Sequence, residues 1–366
     1  MSDSTILTYT EIDREAWSRL VQTSRTGTWF QSPEAYELFA SLPEMFTPFA
    51  FGVVGKPESD SGQINEATLR GVCVGYVTKE KSRLRQFFTR RAIVLGGPCL
   101  AEDATDEEVT ALLSTLNAQL STRNTQHSTL NTPIYIEIRN FNDYSRWRGA
   151  IEAAGFSYQP HLNFHVDCTD KQKMWERLSD NRKRQIRKKP TPDPSLKGGE
   201  KEGKDVSEQD VREWYGILQE LYRTKVKTPL LPVEFFVQAY KQGVGHFLLI
   251  RHEGKIIGGS MVVKSSDAMY EWYECGMNAA YKEQYPSVMA TWAGMQYAHE
   301  QGCARYDMMG AGMPGVPYGV RDFKSEFGGT LVEHGRWLYV AKPWLYAIGK
   351  AGVEMLKNKI INLIRL

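Results

Sequence analysis

Paired cysteines and metal-binding patterns are missing from this chain. No two of the five cysteines form a Cys-x-x-Cys pair, and the seven histidines include no His-Glu-x-x-His pattern. An odd, dispersed set of cysteines predicts reduced thiols in a cytosolic protein and argues against a disulfide framework or a zinc site. His161 and His165 share one face of a predicted strand without obvious partner ligands, so we expect no metal.

Long apolar runs and net charge are also scarce. No stretch of about 18 apolar residues occurs, so we expect no segment that spans a bilayer. The N-terminal sequence MSDSTILTYTEIDREAW has no basic start and no long apolar run, so we expect no signal peptide and a cytoplasmic location. The net charge of +2 argues against a strong polyanion binder and leaves any contact with nucleic acid or membrane to a local patch.

The length and the order of predicted elements indicate two domains. The 366 residues are 42% hydrophobic, which suffices for two cores. Strands and helices alternate irregularly, with antiparallel strand runs, and this predicts mixed α/β sheets. In the second half, helices are predicted at Lys171–Lys188, Glu208–Thr224 and Val233–Gln242. The first half contains a similar order of elements, which suggests a weak internal duplication.

The segment Tyr306–Gly329, YDMMGAGMPGVPYGVRDFKSEFGG, is the most informative. A predicted strand leads into a Gly- and Pro-rich loop and then into FKSEFGG, which holds Lys324 between two phenylalanines. A lysine in such a turn is suited to meet a carboxylate, a phosphate or a carbonyl oxygen. The alternative is a surface lysine beside two core phenylalanines. The letters 310–315 match Gly-x-Gly-x-x-Gly, but the following prolines prevent the helix that dinucleotide binding needs.

Acyl transfer to an amine needs a proton acceptor and a donor to the oxyanion. Asp307, at a predicted strand end next to the Lys324 loop, is the first candidate carboxylate, with Glu271 and Glu274 as rivals. Tyr273 and Tyr318 are candidate donors. Each of these side chains also has a purely structural interpretation.

Basic residues cluster at three places. Arg184 and Arg187 belong to the run Arg182–Lys189, and Lys225 and Lys227 precede a Pro-rich turn; both groups are candidates for binding phosphate or are solvated helix faces. Residues 343–366 form a basic amphipathic pattern that predicts either peripheral contact with a membrane or docking onto the first domain. Residues 189–205 are rich in Pro, Gly and charge, which predicts a mobile loop.

Several of these motifs together resemble the FemAB/FemX family. They are WFQS at Trp29–Ser32, NRKRQIRKK at Asn181–Lys189, the run Tyr273–Gly310 and FKSEFGG. The resemblance implies two tandem GNAT-like domains that transfer an amino acid from aminoacyl-tRNA to an amine of a peptidoglycan precursor, UDP-MurNAc-pentapeptide or lipid II. It also implies that Lys324 lies at the acceptor site and that the second domain carries the donor channel.

The chain also departs from that family. No residue from Ser32 to Gly55 is basic, whereas family members often place a phosphate-binding cation there. The loop 189–205 is too short and polar to be a helical tRNA arm. Other acceptors therefore stay open, as do two alternative functions. One is an acyl-CoA-dependent N-acyltransferase, although Asn278–Ser287 lacks the glycines of a CoA-binding turn; the other is a non-catalytic binding protein for polysaccharide or lipid-linked precursors.

The combined expectation is an α/β protein with α+β mixed sheets and two GNAT-like domains. The first domain is predicted at residues 1–165, completed by 341–366, and the second at 166–340. We expect an acyltransferase that needs no cofactor besides its donor substrate, and the oligomeric state stays open. The expected catalytic residues are Lys324, Asp307 and Tyr273, and the expected substrate- or phosphate-binding residues are Arg184, Arg187, Lys225, Lys227, Tyr318, Arg321 and Phe323.

Overall fold

The computed structural model describes residues 4–55, 68–80, 82–121, 132–188, 206–226 and 229–351, without the side chains of residues 83–85. The predicted loop 189–205, Lys227 and the segment 352–366 lie outside the described residues. The chain divides into two compact units, one made of Met1–Pro160 with His334–Leu366 and the other of His161–Glu333.

The first unit is built on a mixed sheet with helices packed on it. Within the described residues its eight strands run in the order β1-β2-β3-β4-β6-β14-β7, with β5 added beside β3, and β4 and β6 are parallel. Its elements are β1 (Thr5–Thr8), α1 (Arg14–Thr23), α2 (Pro33–Ala40), β2 (Phe46–Val54), β3 (Leu69–Thr78), α3 (Arg83–Thr89), β4 (Ala92–Gly96), β5 (Cys99–Leu100), α4 (Asp106–Ser121), β6 (Tyr135–Asn140), α5 (Arg148–Ala153), β7 (Ser157–Gln159), β14 (Arg336–Val340) and α12 (343–351).

The second unit has a mixed sheet of its own. Within the described residues its six strands run in the order β13-β8-β12-β11-β10-β9, and β11 and β12 are parallel. Its elements are β8 (Leu162–Asp167), α6 (Lys171–Arg177), α7 (Asp180–Arg187), α8 (Glu208–Leu221), α9 (Val233–Lys241), β9 (His246–His252), β10 (Lys255–Ser265), β11 (Ala268–Gly276), α10 (Pro286–Glu300), β12 (Arg305–Gly310), α11 (Gly319–Ser325) and β13 (Thr330–Glu333). The two mixed sheets confirm the predicted fold class.

The boundaries between the units differ from the predicted ones. β8, which the boundary at 165/166 would cut, pairs along its whole length with strands of the second sheet. β14, predicted to close the second domain, pairs instead with β6 and β7 of the first sheet. The chain therefore returns to the first unit before β14, at 333/334 rather than at 340/341.

The helix predicted at Lys171–Lys188 is two helices. Leu178 and Ser179 have extended ψ angles of 144° and 153°, and the Ser179 side chain accepts a hydrogen bond from the Arg182 backbone N–H. A serine in this conformation satisfies an otherwise unpaired donor, so it starts a new helix. The helix predicted to reach Thr224 also ends early, at Leu221, and a π-helical turn follows at Tyr222–Val226.

The glutamine of the WFQS motif is part of the first sheet's hydrogen-bond network. Gln31 is fully buried, in a short 3-10 turn that precedes α2. Its Nε2 donates to the carbonyls of Val74, at 2.9 Å, and of Leu95, at 2.7 Å, and its Oε1 accepts from the Val74 N–H at 2.7 Å. The side chain thus joins β3 to β4 beyond their two registered pairs. Because buried backbone groups need partners, this role explains the residue without reference to a substrate.

We expect Gln31→Leu to lower the free energy of unfolding by about 2–3 kcal/mol, because leucine fills the space but leaves backbone groups of Val74 and Leu95 unpaired. Denaturant titration of the full-length protein measures this. Gln172→Leu is the control, since the Gln172 amide bonds Glu176 on the exposed surface. Equal stability of the two variants would contradict a structural role for Gln31.

Candidate active site beside the parallel strands

The parallel strands β11 and β12 are registered over a short length. Their pairs are Ala268–Arg305, Met269–Tyr306 and Tyr270–Asp307, and within the described residues no pair follows. Beyond that point, the carbonyls of Met308 and Gly310 accept hydrogen bonds from Lys324 Nζ, the second at 2.8 Å. The ammonium therefore occupies a position along β12 where a neighbouring strand would otherwise supply donors.

The FKSEFGG turn holds Lys324 in that position. Phe327 is fully buried, and the Arg182 guanidinium lies over the rings of Phe323 and Phe327, at 4.6 and 5.1 Å from their centroids. Gly328 has φ +75°, and a Cβ there would lie 2.4 Å from the Arg177 carbonyl, so only glycine fits. This packing explains why the two aromatics and the glycine flank the lysine.

The charges of three acids act on the buried ammonium of Lys324. Burial lowers the pKa of Lys324, while the charges of Glu271, Asp307 and Glu274 oppose that shift. Burial also raises the pKa of Glu271, whose Oε1 accepts from the hydroxyls of Thr291 and Tyr306, each at 2.9 Å. Nearby carboxylates lower the free-energy cost of burying a charged lysine, which would be high for an isolated charge.

A β-bulge arranges the side chains of β11. Met261 pairs with Tyr273 and Val262 with Glu271, so one residue of β11 is extra. Glu271 contacts Thr291 of α10, whereas Trp272 and Tyr273 make edge-to-face contacts with aromatic rings of α9, with 4.9 Å between the centroids of Tyr273 and Phe236. Bulges commonly re-aim side chains in this way. Tyr273 therefore packs among aromatic rings, away from the contacts that hold Glu271.

Glu274 belongs to β11, and its side chain lies beside the start of α10. Its carboxyl is hydrogen-bonded by Ser287, whose hydroxyl accepts from the Asn278 amide at 2.7 Å. The residue as a whole is half-buried, but Oε1 has no accessible surface and no hydrogen-bond partner among the described residues. Burial, reinforced by the charge of Glu271, raises the pKa of Glu274 to about 8. A carboxyl that titrates near neutral pH is suited to proton transfer.

Glu274 should make stability depend on pH. Because its pKa in the folded protein is raised from 4.5 to about 8, its contribution is complete below pH 4.5 and is lost as the pH rises through about 8. From pH 6 to pH 8 we expect the ionisation of this residue alone to lower the free energy of unfolding by about 2 kcal/mol. Glu274→Gln should remove that loss, whereas Glu283→Gln, at an exposed position, should not. Denaturant titrations at pH 6 and pH 8 measure the free energy of unfolding. An equal change between the two pH values in wild type and Glu274→Gln would contradict this prediction.

Asp307 is fully buried next to the Lys324 turn. Its Oδ1 accepts from the Met309 N–H at 2.7 Å, and its Oδ2 lies 3.2 Å from His165 Nε2. Met309 has φ +61°, a conformation that the Asp307 side chain stabilises by this hydrogen bond. The carboxylate thus shapes the bend that presents the Met308 and Gly310 carbonyls to Lys324.

The other predicted binding residues have different surroundings. Arg184 and Arg187 are exposed on α7, where Arg184 bonds Asn181 and the Arg187 guanidinium lies 5.1 Å from the Trp175 ring centroid. Lys225 is exposed in the π-helical turn. Lys227 lies outside the described residues.

The Gly-Pro loop is held by its own arginine. The Arg321 guanidinium donates to the carbonyls of Ala311, at 2.9 Å, Val316, at 3.0 Å, and Met313. Tyr318 is 42% exposed, and its ring lies beside Gly312. Phe323 is half-buried under Arg182. Of these three, the tyrosine presents the largest free surface, and Arg321 is largely committed to the loop.

Sequence reasoning missed two features of the site. Arg182 was grouped with the surface cations of α7, yet it is buried and packs on the FKSEFGG turn, with its Nη1 donating to Gln185 at 2.6 Å. His165 was considered only as a metal ligand, whereas its Nε2 faces Asp307. Neither position carries a local signal, because both contacts join residues more than 100 positions apart.

Comparisons with known proteins agree with this architecture. Residues 180–325 match the family model of the acetyltransferase (GNAT) domain. This match covers most of the second unit. This confirms the prediction of an acyltransferase at the level of that domain. A search among curated proteins found no significant match by sequence.

Solved structures extend the likeness to nearly the whole chain. A crystal structure of FemX aligns with a TM-score of 0.63 and 13% identity, over 94% of this chain and 99% of that chain. A conserved protein from Bacteroides thetaiotaomicron aligns with a TM-score of 0.50 and 10% identity, over 92% of this chain and 99% of that one. A tandem GNAT protein from the clavulanic acid biosynthesis pathway aligns with a TM-score of 0.48 and 10% identity, over 93% and 99% of the two chains. The FemX alignment confirms a FemX-like fold with two mixed α/β units.

The described part of the chain shows neither a membrane-spanning helix nor a metal-binding cluster. None of its helices combines the length and apolar character needed to cross a bilayer. Within the same residues, no three His, Cys, Asp or Glu side chains are grouped so as to hold a metal ion. All five cysteines are buried and none forms a disulfide.

Proposed function

We propose that this protein transfers an aminoacyl or related acyl group from a tRNA-type donor to an amine of a peptidoglycan precursor. The observation that carries the proposal is the buried Lys324 ammonium, fixed beside β12 by the FKSEFGG turn in a fold similar to that of FemX. The GNAT domain supports acyl transfer. The resemblance of the FKSEFGG motif supports the peptidoglycan acceptor.

The geometry suggests a division of roles. Two of the three Lys324 N–H groups go to carbonyls of β12, so the third N–H and the positive charge are left for an acceptor carboxylate or the oxyanion of the tetrahedral intermediate. Glu274, with its raised pKa, is the carboxylate suited to take the proton that the attacking amine must lose. Asp307 and Tyr273 act as positioning residues, one for the bend of β12 and the other for the bulged strand.

The start of α10 supports a donor without a pyrophosphate. A helix N-terminus is the usual place for phosphate in this type of strand–helix unit. Here the Asn278 side chain accepts from the Ser287 N–H at 3.2 Å, and Glu274 adds an acid beside it. A Cβ on Gly276 would lie 2.7 Å from the same nitrogen, so the strand closes on the helix. The pyrophosphate of an acyl-CoA would find the Ser287 N–H already occupied and the Glu274 carboxyl beside it. An aminoacyl ester of tRNA instead brings its phosphates to exposed cations such as Arg184, Arg187 and Lys225.

The test is a transfer assay with the purified full-length protein. A pool of tRNA charged with radiolabelled amino acids is offered with UDP-MurNAc-pentapeptide or with lipid II, and the product is identified by mass spectrometry. Label in the precursor supports the proposal. Transfer from acetyl-CoA without tRNA would instead establish the CoA-dependent alternative, and binding of a precursor without turnover from either donor would establish a binding protein.

A further inference from the structure

The first unit carries an exposed apolar cluster that the proposed reaction does not use. Trp344 is 59% exposed, Ile348 55% and Phe88 48%. The Phe87 ring joins them, with centroid distances of 5.0 Å to Phe88 and 6.2 Å to Trp344. We call Phe87, Phe88, Trp344 and Ile348 the aromatic patch. Large side chains exposed together in this way usually mark an interaction surface.

The way α12 packs explains why two of these side chains face outward. Leu345 is 2% exposed, and the Tyr346 ring lies 5.6 Å from the Tyr135 ring of β6. Those contacts fix one side of the helix on the first unit. Trp344 and Ile348, four residues apart, share the other side. The helix therefore packs on its own unit, which is one of the two interpretations of its sequence, and still presents apolar side chains to solvent.

Positive charge is concentrated in the two segments that form the patch. Residues 79–91 contain six cationic side chains and one acidic one, and residues 342–351 contain two cationic and none acidic. The whole chain has a net charge of only +2, so the rest of it is acidic on balance. Of these cations Lys350 is exposed, Lys79, Arg91 and Lys342 are half-buried, and Arg90 is buried.

We propose that the aromatic patch and its cations bind the surface of an anionic lipid bilayer. Tryptophan and phenylalanine partition into the headgroup region, and lysine and arginine add attraction to anionic lipids. The aliphatic Ile348 beside the rings favours lipid over nucleic acid, because bases stack on aromatic planes and gain little from an isoleucine.

Vesicle flotation of the full-length protein tests this. One set of vesicles is phosphatidylcholine alone and the other contains about a third phosphatidylglycerol. The test variant is Phe88→Ala with Trp344→Ala. The matched control is Val226→Ala with Leu331→Ala, two apolar side chains of the second unit that are 41% and 43% exposed. Lys350→Glu tests the charge, and binding to bulk tRNA is measured on the same proteins.

We expect the wild type and the control to float with anionic vesicles and much less with neutral ones. The Phe88/Trp344 variant should partition at least about tenfold more weakly, because two apolar anchors are lost. Lys350→Glu should weaken binding to the anionic vesicles alone. Absence of flotation by the wild type, or binding that the Phe88/Trp344 variant retains, overturns the proposal. So does a result in which these substitutions weaken tRNA binding and leave vesicle binding unchanged.

Discussion

Lys324→Met is expected to lower the rate of acyl transfer at least about 100-fold, the usual effect of removing a donor that stabilises a developing oxyanion. Methionine keeps most of the side-chain volume but loses the charge and the donors to Met308 and Gly310. The fold should survive, because burial already raises the pKa of Glu271 and that carboxyl can take up a proton when its cation is lost. The measurement is the transfer assay with charged tRNA and precursor.

The control for this variant is Lys264→Met. Lys264 belongs to the same unit and also donates to a backbone carbonyl, that of Gln301 at 2.9 Å, but it is exposed. We expect this variant to keep its transfer rate, and circular dichroism should show both variants folded. A folded Lys324→Met protein with the wild-type rate would end the role assigned to this lysine, even if transfer itself had been demonstrated.

Glu137→Gln is expected to destabilise the first unit by about 1–3 kcal/mol, because it removes the shared acceptor of two arginines from a half-buried ion cluster. Arg139 donates from Nε and Nη2 to Glu137 Oε2, at 2.9 and 2.8 Å, and Arg336 donates to Oε1 at 2.8 Å. The Glu137 side chain is 16% exposed. The cluster joins β6 to β14. β14 follows the second unit in the chain and then pairs with the first sheet, so loss of the cluster should release this strand.

Denaturant titration measures this effect, and Glu152→Gln is the control. Glu152 pairs with Arg148 on an exposed helix face, where such pairs contribute well under about 1 kcal/mol. Similar midpoints for both variants would contradict the structural importance of the cluster.

The same cluster predicts a loss of stability in acid. Although burial alone would raise the pKa of Glu137, the charges and hydrogen bonds of Arg139 and Arg336 lower it to about 2 from its usual 4.5. The contribution is therefore present above pH 4.5 and is lost as the pH falls toward 2. In Glu137→Gln this acid-linked loss should be absent, which the midpoints at pH 3 and pH 5 will show.

Much of the local structure followed from the sequence. Serine followed by proline is a typical helix start, and the Ser32 side chain accepts from the Ala35 N–H at the start of α2. The Gly- and Pro-rich stretch after β12 was predicted to prevent a helix, and α11 begins only at Gly319. Caps and breakers act over three or four residues, so their effect is visible in the sequence.

Helix continuity was harder to predict. Lys171–Lys188 has helical spacing throughout, but the chain turns at Leu178 so that Arg182 can pack on Phe323 and Phe327. Those partners lie about 140 residues away, and no periodicity within the segment reports them. Long-range packing commonly overrides local propensity in this way.

The sequence by itself determined the two mixed sheets and singled out Lys324 between its phenylalanines, because periodicity, turn residues and motif spacing are local properties. Only the tertiary structure decided that the charges of Glu271, Glu274 and Asp307 act on this lysine, that Arg182 is buried and that the Arg321 guanidinium is held by its own loop. The reason is physical: a pKa depends on desolvation and on charges brought close in space, and strand pairing and burial set both. The same residues in another register would be ordinary surface charges.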